Sequence, residues 1–184
     1  MSEPGETQPP GTVWTVGHST RTAADLIRLL ADHGVGWVAD VRTAPGSRRN
    51  PQFNREPLAA TLAAAGIGYV HLPGLGGFRR SRAESPNTGW KNASFRGFAD
   101  YLDTPAFAAA LEELEGLARR ERTALLCAEA VPWRCHRSLI ADALTVRGWR
   151  VVHILSEGHY QEHHLTPFAR VDGRRLTYPS GKER

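Results

Sequence analysis

The segment Cys127-Ala-Glu-Ala-Val-Pro-Trp-Arg-Cys135-His136-Arg137 crowds two thiols, a carboxylate, an imidazole and two guanidinium groups into one short stretch. A thiolate is a nucleophile and a metal ligand, and its formation is favoured beside arginine and at the start of a helix. Cys135 and His136 fall where a helix is expected to begin, between Arg134 and Arg137. Cys135 therefore reads as a thiolate nucleophile or an anion-facing group, with packing of helix onto sheet as the plainer role. Cys127 closes an apolar run and reads first as core. Glu129 is the candidate acid or base, because a carboxylate at the edge of a buried sheet loses solvation and titrates higher unless an arginine compensates.

Similar groups follow other apolar runs. His18, Ser19 and Arg21 come after the first, Asp40 and Arg42 after the second, and His71 ends the third. Asp40 is a second acid or base, His18 and His71 are candidate proton carriers or loop anchors, and Arg42 and Arg137 are candidate partners for the carboxylates. The Cys-x5-Arg loop of cysteine phosphatases would require arginine where Trp133 stands, and neither Gly-x-Gly-x-x-Gly nor a Walker loop occurs. No cofactor is expected on this ground. A metal site drawing on Cys127, Cys135 and His136 stays open, although the cysteine spacing is not that of a zinc ribbon or finger. His163 and His164 are further candidate ligands, with solvated tail residues as the plainer reading.

Such residues meet only if the elements between them place them at one edge. Val13–Val16, Trp37–Val41, Ile67–Leu72, Thr123–Cys127 and Arg150–Leu155 read as strands. Helices are expected from the Thr22 cap to about Gly34, over 58–65, 95–102 and 105–120, and from His136 to Arg147. Strands alternating with helices predict an α/β fold, an open sheet of about five mostly parallel strands with helices on both faces. In such sheets ligands bind beyond the strand carboxyl ends, where His18, Ser19, Arg21, Asp40, Arg42, His71, Cys127 and Glu129 are expected to lie. The expected organisation is a flexible tail over 1–11, one α/β domain over 12–170 and a C-terminal tail over 171–184.

The 184 residues carry a net charge of +4, nearly all of the positive charge on arginine, with Lys91 and Lys182 the only lysines. Arginine suits planar phosphate or carboxylate groups, although this charge is far below that of a protein that coats nucleic acid. The loops 48–55 and 77–82 interleave arginines with Phe53 and Phe78, a pattern able to hold a phosphate backbone and stack a base. Without an apolar run of membrane length or a leader-like N-terminus, the expected location is cytoplasmic, with no membrane partner. The chain carries no feature that sets an oligomeric state.

Thr15-Val16-Gly17-His18-Ser19-Thr20-Arg21, Val38-Ala39-Asp40-Val41-Arg42 with Pro45 and Ser47-Arg48, Leu75-Gly76-Gly77, and Cys127-Ala128-Glu129 through Pro132-Trp133-Arg134-Cys135-His136-Arg137 together resemble the bacterial and archaeal family catalogued as domain of unknown function 488. The resemblance runs from about Thr12 to the Glu162-His163-His164-Leu165 region and implies a single small α/β domain. The family's second motif resembles Val-Asp-Val-Arg; here Ala39 precedes Asp40, which leaves acid and arginine in place. The complete polar set favours a working site.

Taken together, the residues lead to an enzyme, a hydrolase or group transferase, acting on a phosphate-bearing or other anionic substrate such as a nucleotide or nucleic acid. Arg21, Arg42 and Arg137 are expected to grip the anion with help from Ser19, His71, Arg134 and His136. Asp40, Glu129 or His18 would move protons, and Cys135 would attack. The alternatives are a non-catalytic nucleic-acid-binding or redox-sensing module and a metal-dependent enzyme.

Overall fold

The computed structural model describes residues 11–181, so the tail expected over 1–11 lies, except for Gly11, outside the described residues. Strands β1 (Thr12–Gly17), β2 (Trp37–Asp40), β3 (Gly68–His71), β4 (Thr123–Cys127) and β5 (Arg150–Ser156) run parallel, and β6 (His159–Glu162) joins β5 antiparallel. Their order in the sheet is β3-β2-β4-β1-β5-β6. Helices α1 (Ala23–Asp32) and α2 (Arg55–Ala64) pack Leu26, Leu29, Leu30, Leu58 and Leu62 against one face. Helices α3 (Ala93–Tyr101), α4 (Pro105–Arg120) and α5 (Arg137–Val146) pack Phe98, Leu111, Leu114 and Leu139 against the other. The chain is thus a single α/β domain, and β4, buried at every residue, is the apolar central strand that a doubly covered sheet demands.

Local chemistry sets the element ends. Thr22 Oγ1 accepts from the amide of Asp25 to start α1, and Thr104 Oγ1 accepts from the amide of Phe107 ahead of Pro105 in α4. Helix α2 begins at Arg55, three residues before the expected Leu58, because Pro57 is tolerated in a first helical turn.

The strand order creates a switch point. After β1 the chain crosses through α1 on one face towards β2; after β4 it crosses through α5 on the opposite face towards β5. Neighbouring strands β4 and β1 therefore send their loops apart, which opens a crevice beyond their carboxyl ends.

One strand adds to the expected five, and one expectation needs correction. The edge strand β6, His-Tyr-Gln-Glu, is exposed throughout and lacks an apolar run, so only its pairing with β5 defines it. The segment 171–184 is not a tail as far as it is described. Strands β7 (Arg170–Asp172) and β8 (Arg175–Thr177) form a hairpin, and Leu176 and Tyr178, two positions apart, both enter the core. The Tyr178 amide donates to Asn87 Oδ1 and its hydroxyl to Asp142 Oδ2, fixing the segment to the body of the domain.

The long loop after β3 is tied down from within. The buried Asp100 carboxylate accepts from Ser85, Asn87 and the Arg82 amide. Burial pushes its carboxyl up, but these bonds outweigh burial and hold it below the usual range. That anchoring fixes the approach of the loop to the crevice.

Candidate functional site at the sheet switch point

The loops after β1 and β4 continue the sheet ladder: the amide of His18 donates to Cys127 O and that of Ser19 to Ala128 O, both at 2.9 Å. Gly17 makes this possible, since a Cβ there would overlap the Glu129 carbonyl crossing above it. The crevice beyond is a cavity of about 700 Å³.

Of the residues expected from sequence, His18, Ser19, Arg42, Glu129, Arg134, Cys135 and His136 line this cavity, and Arg21, Asp40, His71 and Arg137 do not. Those four have structural partners. Arg21 donates to Gly17 O and Leu155 O. His71 Nε2 donates to Arg42 O at 2.7 Å. The fully buried Asp40 carboxylate takes both prongs of Arg42, at 2.9 and 2.8 Å, and the Tyr69 hydroxyl at 2.5 Å. As an acid or base it is already engaged; its effect is to fix the Arg42 guanidinium, whose Nη1 lies 3.3 Å from His18 Nε2. His18 donates through Nδ1 to Ser19 O and stacks on Phe53, so Nε2 is the bare nitrogen. Burial, and then the Arg42 charge, hold this imidazole below its ordinary pKa.

The main revision concerns the cysteines. Cys127 lines the cavity beside Cys135, their Sγ atoms 2.9 Å apart, and both thiols are free. Arg137 does not reach into the cavity to hold an anion. It is fully buried, with its Nη1 on Cys127 Sγ and the Glu129 carbonyl, Nη2 on the Ala130 carbonyl and Nε on Thr15 Oγ1. Among the described residues this guanidinium has no carboxylate partner. A buried cation without a counter-ion is strongly disfavoured, and the adjacent Cys127 sulfur is the group that can supply the negative charge. Burial alone pushes the Cys127 thiol up; the hydrogen bond from Cys135 and the Arg137 charge outweigh it and bring the thiol to about 7. Cys135 moves well above the ordinary thiol range, first through its hydrogen bond to Cys127 and then through burial. The acidic sulfur is the one expected to be core.

His136 completes the pair. Its Nε2 donates to Val41 O at 3.0 Å, leaving Nδ1 bare at 3.6 Å from Cys135 Sγ, and burial lowers its pKa so that it stays neutral near pH 7.

Behind Arg137 runs a line of polar groups. Thr15 Oγ1 lies 2.6 Å from His153 Nδ1, His153 Nε2 lies 2.8 Å from His163 Nδ1, and His163 Nε2 lies 2.7 Å from Asp142 Oδ1. Arg137 Nε donates into this line at Thr15 Oγ1, and the Asp142 carboxylate accepts from His163 at its other end. His163, expected in a solvated tail, is thus inside. Sequence reasoning missed this line, although Thr15 and His153 are polar interruptions of apolar strands and share a register position on β1 and β5. Among the described residues no group of three or more His, Cys, Asp or Glu side chains is placed to hold a metal ion.

The family model described as domain of unknown function DUF488 matches residues 22–144, from the start of α1 through most of α5. No curated protein and no solved structure matches the chain.

Proposed function

The chain belongs to the DUF488 family, and we propose that it is an enzyme, a hydrolase or group transferase, whose nucleophile is the Cys127 thiolate and whose substrate is phosphate-bearing or otherwise anionic. One observation carries this reading: the fully buried Arg137 guanidinium rests on Cys127 Sγ with no carboxylate partner among the described residues. A thiol that is half ionised near pH 7 and opens on a cavity suits covalent catalysis. Cys127 Sγ would attack the phosphorus or carbonyl carbon of the substrate as the bond to the leaving group breaks. Water or a second acceptor would then release the transferred group. Glu129, exposed at the cavity wall rather than desolvated as its position in the sequence suggested, would take a proton from the incoming nucleophile. Arg134, exposed on the same wall and without an ion pair among the described residues, supplies charge for the anion.

The rim of the cavity favours a nucleotide or single-stranded nucleic acid. Phe78 lies on the cavity wall with φ of 59° and 90% of its surface exposed, and Trp133 in the β4 loop is 61% exposed. A bulky residue in the left-handed region is strained, and here the strain brings no burial in return. An exposed ring at the mouth of a polar cavity offers a stacking platform for a base. Phe78→Asn, which tolerates that conformation, is expected to leave stability unchanged or raise it by up to about 1 kcal/mol. It should also weaken nucleotide binding roughly 5- to 150-fold, the effect of losing a stacking contact of about 1–3 kcal/mol. Thermal melts and nucleotide titrations check the two arms.

The proposed activity is tested by screening nucleoside phosphates, phosphodiesters and acyl esters for product release before and after alkylation of Cys127. Turnover that disappears on alkylation is expected. Turnover that survives it removes Cys127 as the nucleophile. Single-stranded DNA binding that falls steeply with salt, without any turnover, would favour the non-catalytic module instead.

A further inference from the structure

We propose that Cys127 and Cys135 form a dithiol–disulfide couple at the floor of the cavity, oxidised by a low-molecular-mass disulfide, with Cys127 as the attacking thiol and Cys135 as the resolving one. This reading goes beyond group transfer and shares with it only the nucleophilic Cys127.

The geometry separates the roles. The sulfurs stand 2.9 Å apart, so the bond, about 2.05 Å long, needs an approach of less than an ångström. Both line the same cavity, so a disulfide that enters meets both. Only Cys127 has a guanidinium on its sulfur. Only Cys135 has a bare imidazole nitrogen beside it, His136 Nδ1, held in place because Nε2 is committed to Val41 O.

Two exchanges follow. Cys127 Sγ, as thiolate, attacks one sulfur of the disulfide RSSR; the RS–SR bond breaks and RS⁻ leaves, giving a mixed disulfide on Cys127. Cys135 then passes its proton to His136 Nδ1 and attacks Cys127 Sγ. The Cys127–SR bond breaks, the second RS⁻ leaves, and the His136 proton is returned to solvent or to that thiolate. Two protein thiols are oxidised to one disulfide, and RSSR is reduced to two RSH. The reverse sequence reopens the pair. Closing the bond takes the anionic partner away from Arg137 and leaves a buried cation unmatched, so the reduced form is the favoured one. A disulfide whose reduced state is stabilised in this way is an oxidising, easily reopened one.

The experiment uses the full-length protein, fully reduced, then titrated with oxidised glutathione, quenched with iodoacetamide and weighed intact without reductant. The expected product is monomeric, lighter by two hydrogens, takes up no iodoacetamide, and yields one cross-linked peptide pair joining Cys127 to Cys135. Reduced glutathione should reverse it. Cys135→Ala should stop with one glutathione on Cys127, and His136→Asn should slow closure of the mixed disulfide at least tenfold. Two thiols that stay alkylatable in excess oxidant, a stable glutathione adduct on the wild type, or cross-links between chains would each overturn the proposal. Because the wild-type mass decides the matter, a variant that fails to fold does not obscure it. The two readings fail separately: no turnover in the ester and phosphate screen leaves the cross-link intact, and no cross-link leaves turnover intact.

Discussion

Replacing Arg137 with methionine is expected to suppress the reactivity of Cys127 and to destabilise the fold by about 3 kcal/mol. The guanidinium supplies the positive charge beside the sulfur and also ties down the Glu129 and Ala130 carbonyls. Without it, burial pushes the thiol upward with the Cys135 hydrogen bond as the main remaining opposition. A thiol near 7 is half ionised at neutral pH, whereas one at or above the usual value of about 8.5 is ionised to a few per cent or less. The alkylation rate at pH 7 should therefore fall roughly tenfold or more. The stability cost comes from losing the charged hydrogen bonds to the part-buried Glu129 and Ala130 carbonyls, about 1.5–3 kcal/mol each, partly offset by the thiol becoming neutral. Arg137→Lys separates the two effects, because lysine restores charge but cannot present the planar fork that reaches several acceptors at once. It should recover part of the reactivity and little of the stability. Iodoacetamide kinetics and urea denaturation measure the pair.

The second large effect is a loss of stability in mild acid. Burial, followed by the charges of His163 and Arg137, lowers His153 from its ordinary value to about 3. A histidine whose folded pKa is depressed remains neutral in the native state while the unfolded chain takes up a proton. Its contribution is complete above about 6.5 and is lost as the pH falls towards 3, at about 1.4 kcal/mol per pH unit. His153 alone should cost about 3 kcal/mol between pH 6.5 and pH 4. His18 and His136, also lowered by burial, act with the same sign in the upper part of this window. Urea denaturation at pH 7 and pH 4.5 should show the drop, and His153→Gln should flatten it. Equal stability of the wild type at the two pH values would contradict a buried neutral His153.

The fold was legible where pattern and position agree. The five parallel strands and five helices follow from apolar periodicity and from caps such as Thr22 and Thr104. Strand carboxyl ends then placed His18, Arg42, Glu129 and Cys135 at one cavity. What escaped depends on pairing in space. The edge strand β6 is polar on both faces, and its existence rests on β5. Tyr178 and His163 lie in a stretch that reads as tail, and only the partner Asp142, on α5, explains their burial. Arg137 illustrates the same point within the site: an arginine near a loop end reads as an anion grip, yet its direction is set by α5, which turns it into the sheet and onto Cys127. Which of two cysteines is acidic depends on that direction, so spacing alone favoured Cys135.

The pairing of Cys127 with Arg137 is tested most directly by the pH dependence of iodoacetamide alkylation of the reduced wild-type protein, with each thiol followed by peptide mass. Modification of Cys127 first, with a midpoint near 7, is the expected result, with Cys135 reacting only at much higher pH. Modification of Cys135 first, or a Cys127 midpoint at or above about 8.5, would contradict it.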